Sequence, residues 1–162
     1  MAAVPDGWQD FFVAMAGGSA ALAGLVMVAL SVNIKAILAL PWLPPRAGAA
    51  VASLVLAVVV CGLALVPGQP AALLGAEVLV GAGLTAVPRL VYLRRSAGLP
   101  QVTPAARTAS IVLTVLQLVP LVVGAALLLA GFTGVGWIAA GILLVVVASM
   151  LDAWVLMVEI LR

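Results

Sequence analysis

The stretch FFVAMAGGSAALAGLVMVALSVNI, residues 11–34, contains no Asp, Glu, Lys or Arg, and Lys35 closes it. A helix needs about 20 predominantly apolar residues to cross a hydrocarbon core of roughly 30 Å. In lipid every backbone N–H and C=O must pair inside a helix or a closed barrel. Apolar residues run continuously here instead of alternating with period two, so the stretch predicts a membrane-spanning helix. Its N-terminal flank is acidic, with Asp6 and Asp10. A cleavable signal peptide carries a basic flank and a shorter apolar run, so this segment reads as a retained span.

The rest of the chain repeats the pattern. Of 162 residues, 67% are hydrophobic and 7% charged, against roughly a quarter charged in soluble domains. A water-soluble fold of this length could not bury so much apolar surface. The sequence predicts an all-α, polytopic helical membrane protein, one membrane domain over residues 1–162 with transmembrane helices at 11–34, 47–66, 71–93, 108–130 and 137–158. Three prolines make Leu40-Pro41-Trp42-Leu43-Pro44-Pro45-Arg46 read as a loop, and Pro67-Gly68-Gln69-Pro70 as a tight hairpin. Residues 94–107, with Arg94, Arg95, Gly98, Pro100, Pro104 and Arg107, form the longest polar connection and the segment expected to be most mobile. Pro45-Arg46 and Pro104-Ala105-Ala106-Arg107 open corresponding hairpins, a faint parallel repeat.

Positive charge fixes the expected orientation. Lys35 and Arg46 flank the first connection, Arg94, Arg95 and Arg107 lie in the third, and Arg162 ends the chain, while the second and fourth connections are uncharged. Cytoplasmic loops carry the excess of Lys and Arg, so five spans give an N-out/C-in protein with its basic connections in the cytoplasm. Trp8, Phe11, Phe12, Phe132 and Trp137 then fall at the outer boundary and Trp42, Tyr92 and Trp154 near the inner one, where half-wet rings are favoured.

Several function classes drop out. Seven Lys or Arg against five acids give a net charge of +2 scattered over short loops, so no nucleic acid partner is expected. Cys61 is the only cysteine and there is no His, which leaves no intrachain disulfide and no metal-ligand spacing. No cofactor is expected, and no catalytic residues: the acids lie on different spans at different depths, and no Gly-rich phosphate loop follows a strand.

Four groups of residues are candidates for function. Gly17, Ala20 and Gly24 form a small-residue stripe that Ser31 extends, with Gly17, Gly24 and Ser31 recurring every seventh position. Small residues let helices approach closely in lipid. The stripe fits a helix contact within a subunit, a contact between subunits, or the lining of a narrow pathway with Ser31 and Asn33 at its cytoplasmic mouth. Arg89 and Asp152 lie at similar depth on spans that both descend toward the cytoplasm, and a charge at mid-membrane costs about 2.5–3.5 kcal/mol on insertion scales. They form a candidate ion pair, structural or gating, for which Lys35 could compete. Glu77, about two turns inside the outer end, has no Lys or Arg on its side. It reads as an interfacial carboxylate, a protonated acid bonded to another helix, or one member of a carboxylate ring that favours cations. Gln117 sits beside Pro120, which frees the Leu116 carbonyl as Pro88 frees that of Leu84, so kinked helices or ion-coordinating groups are both consistent.

The segments Trp8-Gln9-Asp10-Phe11-Phe12, Gly17-Gly18-Ser19-Ala20-Ala21-Leu22-Ala23-Gly24-Leu25 and Ala29-Leu30-Ser31-Val32-Asn33 resemble a group of small multi-span bacterial membrane proteins, some labelled modulators of a membrane-bound AAA protease. The resemblance covers about the first 35 residues, with Leu65-Val66-Pro67-Gly68-Gln69 as a further match. It implies a bacterial plasma (inner) membrane and brings no catalytic or binding residues. The expectation is an oligomeric membrane protein, a homo-oligomer with a channel-like role in ion permeation. Its alternative is a scaffold or regulatory subunit docking a larger membrane protein partner.

Overall fold

The apolar run that opens the chain folds as α1, Gln9–Val32, in a computed structural model that describes residues 4–5, 7–97, 102 and 104–160. There follow α2 (Ile34–Ala39), α3 (Leu43–Ala64), α4 (Ala71–Arg95), α5 (Pro104–Leu129) and α6 (Val135–Ile160), with no strand among the described residues. Five of these, all but α2, are long and apolar enough to cross a membrane, the architecture of a multi-pass membrane protein. At 1.5 Å per residue the 24 residues of α1 extend about 36 Å, enough for a hydrocarbon core with some tilt.

The helix ends differ from the sequence expectation where proline is concerned. The expected loop at 40–46 is instead a short turn followed by the first turn of α3, which holds Pro44 and Pro45. The first N–H groups of a helix have no intrahelical acceptor, so prolines there sacrifice nothing and pre-set φ. Arg46 is therefore inside the helix. Asn33 ends α1, its Nδ2 donating to the Ala29 carbonyl at 2.9 Å, and α2 follows as a separate helix that the sequence reading did not anticipate. The basic connection is also shorter than 94–107, because α4 continues through Arg95 and α5 begins at Pro104. The mobility expected of it falls on residues 98–101 and 103, outside the described residues.

Two turns are set by glycine. Pro67 and the left-handed Gly68 (φ +70) occupy the central positions of a turn closed by Gln69 N–H on the Val66 carbonyl, the residue choice of a type II turn. At the end of α5, Gly131 (φ +82) lets Phe132 N–H reach the Leu127 carbonyl at 2.8 Å, a Schellman cap.

Helix α3 is central, packed against α1, α4 and α6, while α5 packs against α4 and α6. Helix α1 lies outside this four-helix body: 11% of its apolar span is buried, against 56% for α3. One core cluster, at the end marked by Trp8, joins Phe12, Cys61, Leu74, Leu121 and Ile138; a second, at the basic end, joins Ile37, Trp42, Leu43, Tyr92 and Leu156. The close approaches are made by glycines of α4–α6. A Cβ on Gly124 would stand 2.8 Å from the Gly134 carbonyl oxygen, one on Gly141 2.6 Å from Leu121 Cγ, and one on Gly75 2.7 Å from the Ala125 carbonyl oxygen. Gly17 and Gly24 have nothing within 4 Å of such an atom, and Ala20 is exposed. The span-one stripe thus makes no helix contact within the chain, which removes the first of its three readings.

Candidate functional site

Four of the five long helices each contribute one polar side chain to a cluster at the basic half of the bundle. Arg46 enters from the first turn of α3, Arg89 from α4, Gln117 from α5 and Asp152 from α6. All are buried, with Arg89 4%, Gln117 1% and Asp152 2% exposed. Arg89 Nη1 lies 2.8 Å from Asp152 Oδ2, and Arg46 Nη2 lies 3.9 Å from Asp152 Oδ1. With its oxygen toward the guanidinium, the Gln117 amide accepts from Arg89 Nη2 at 2.8 Å and from Nε at 3.1 Å. A helical side chain leans toward its own N-terminus, which is how Arg89, near the end of α4, reaches up to Gln117 in the middle of α5.

Arg89 and Tyr92 are three residues apart and share a helix face. The guanidinium carbon of Arg46 stands 5.6 Å from the Tyr92 ring centroid, a distance at which a desolvated cation–π contact is worth about 2 kcal/mol. The carboxylate of Asp152 therefore faces two guanidiniums, one of which is also held by an amide and the other laid on an aromatic face. Lys35 is exposed and is not the competitor for Asp152; Arg46 occupies that position. In a low-dielectric interior the attraction is strong, but desolvation opposes it, so such a cluster contributes geometry more dependably than net stability. Each side chain is useful only if the other three helices stand at the right depth.

Glu77 belongs to the opposite half of the molecule. It is half-buried, and its Oε2 accepts a hydrogen bond from Nε2 of Gln69, a buried residue that the Pro67-Gly68 turn aims back at α4. Neutral amide donation replaces the missing cation. Ser31 Oγ donates to the Met27 carbonyl at 2.8 Å, so both it and Asn33 bond backward onto α1. Pro88 and Pro120 lie inside α4 and α5, each within one turn of a cluster residue, and both helices continue through them.

The structure therefore brings Arg89, Gln117 and Asp152 together, keeps Glu77 apart, and leaves Gly17, Ala20 and Gly24 on another edge, since α1 packs on α3 whereas α4 packs on α3 and α5. The sequence reading missed Arg46, Tyr92 and Gln69. Prolines at 44 and 45 could have signalled a helix start that places Arg46 inside, and Tyr92 three residues after Arg89 was a second available clue. Among the described residues no group of three His, Cys, Asp or Glu side chains comes together. Comparison with protein families, curated proteins and solved structures finds no match to this chain.

Proposed function

We propose that this chain is a subunit of a homo-oligomer in a bacterial plasma membrane, N-terminus outside and C-terminus in the cytoplasm, and that permeation takes place between subunits. The observation that carries this reading is the open face of α1, where Gly17, Ala20 and Gly24 stand uncovered although small residues are what helices use to meet in lipid. Two further features support it. The charged cluster occupies the interior of the four-helix body, so a route through one subunit would have to break it. Glu77 is half-exposed on an apolar helix, a position that favours water or a neighbouring subunit beside it. The orientation is supported by Lys35, Arg94, Arg95 and Arg107, all exposed at the end opposite Trp8 and Trp137.

The test combines mass and flux. Gly17→Leu with Gly24→Leu is expected to reduce the native mass in mild detergent to that of one chain without changing thermal unfolding of the four-helix body. In liposomes the wild-type protein is expected to pass a cation flux that Glu77→Gln lowers several-fold. Liposomes that stay electrically silent around an intact oligomer would refute the permeation reading. That outcome favours a second one, a scaffold or regulatory subunit that docks a larger membrane protein. A specific observation speaks for it: Ser31, Asn33, Glu77 and Gln117 each hydrogen-bond within their own chain, which leaves few polar groups to line a pathway.

A further inference from the structure

Toward the basic end, a groove of about 180 Å³ lies between α1 and α6. Leu25, Ala29, Leu30 and Asn33 of α1 face Ala153 and Leu156 of α6 across it. An apolar cavity of about 150 Å³ stays dry and takes up a benzene ring, so this groove has room for a length of hydrocarbon and nothing to hold water along most of its walls. On a helix surface surrounded by lipid, an acyl chain is the material at hand to fill it. Its one polar wall, Asn33, lies at the end of α1, and the chain then turns into α2, whose Ile37 is buried under the bundle while Lys35 is exposed. Lys35 meets no carboxylate among the described residues. An exposed cation thus follows, two residues along the chain, the polar wall of an apolar slot.

The geometry points to a binding site for an anionic phospholipid, with an acyl chain in the α1–α6 groove and the phosphate against Lys35. It rests on the orientation proposed above only in assigning that lipid to the cytoplasmic leaflet. One Lys near an anionic headgroup gives about a fivefold preference.

Native mass spectrometry of the intact protein, released from nanodiscs of mixed phosphatidylglycerol and phosphatidylcholine, tests this. The wild-type subunit is expected to retain phosphatidylglycerol about fivefold over phosphatidylcholine. Lys35→Gln, on an exposed side chain, is expected to lower the preference several-fold, more than Arg94→Gln or Arg107→Gln does, and Ala29→Phe and Ala153→Phe, from opposite walls, to lower retention of both lipids at unchanged unfolding temperature. An unchanged preference in Lys35→Gln overturns the proposal, as does equal retention of the two lipids by the wild type. The same spectrum counts subunits, and nanodisc lipid is offered from both leaflets, so neither a monomer nor an inverted topology can be mistaken for failure of the lipid site.

Discussion

Asp152 answers two arginines, and this asymmetry governs what substitution at the cluster does. Removing Arg89 leaves Asp152 with Arg46 at 3.9 Å, whereas removing Asp152 takes the carboxylate from both guanidiniums. Breaking a buried pair by deleting one partner costs about 3–5 kcal/mol, while replacing the pair with apolar side chains is often neutral. Asp152→Leu is therefore expected to lower thermal stability in detergent more than Arg89→Met, and the double variant to recover the share of the loss that belongs to Arg89, while Arg46 stays without this carboxylate. Gln117→Leu removes the amide acceptor of Arg89 and is expected to cost about 1–3 kcal/mol. Additive losses in the double variant would mean that the two charges do not act on each other. What the sequence conveys about this site is depth, since a charge in an apolar run is conspicuous and its distance from the helix end can be counted. It conveys no azimuth, so nothing in it assigned Gln117 to Arg89. Arg46 was hidden by the prolines before it.

The five long helices are legible because each is a predominantly apolar run of membrane-spanning length, and backbone satisfaction in lipid leaves such a run no alternative. Their ends are less so. The sequence places the prolines at 44, 45 and 104 in connections, yet each lies in a first helical turn, where the same ring that breaks a helix starts one. A seven-residue spacing of glycines likewise identifies a face but not what covers it. Of the glycines in close contact, Gly124 on α5 and Gly141 on α6 lie where those two helices meet. Gly124→Leu and Gly141→Leu are expected to separate these helices, each costing about 1–3 kcal/mol or more by overpacking, whereas leucine at 17 or 24 leaves the fold intact because nothing stands there to collide. Unfolding midpoints of the single variants in the same detergent decide between these outcomes.

At the scale of the whole molecule, the exposed basic side chains mark one end of the bundle, opposite Trp8 and Trp137. A cysteine placed at Ala97, beside the exposed Arg94 and Arg95, with Cys61 changed to Ser, is expected to resist a membrane-impermeant maleimide on intact cells and to react once they are permeabilised. Labelling from outside would invert the topology and move the lipid groove to the other leaflet. The arrangement of the helices around α3 was not legible in the sequence, because runs of Leu, Val and Ala look alike from every side and only the contacts distinguish a central helix from a peripheral one.

The cluster also has an order in time. Synthesis runs from the N-terminus, so Arg46, Arg89 and Gln117 are made before the helix that bears Asp152. Until Asp152 follows, Arg89 has the Gln117 amide and lacks the carboxylate that it faces in the finished bundle. Arrival of α6 gives both arginines their shared carboxylate, so the geometry of the cluster is closed by the helix that carries Asp152 and by none of those before it.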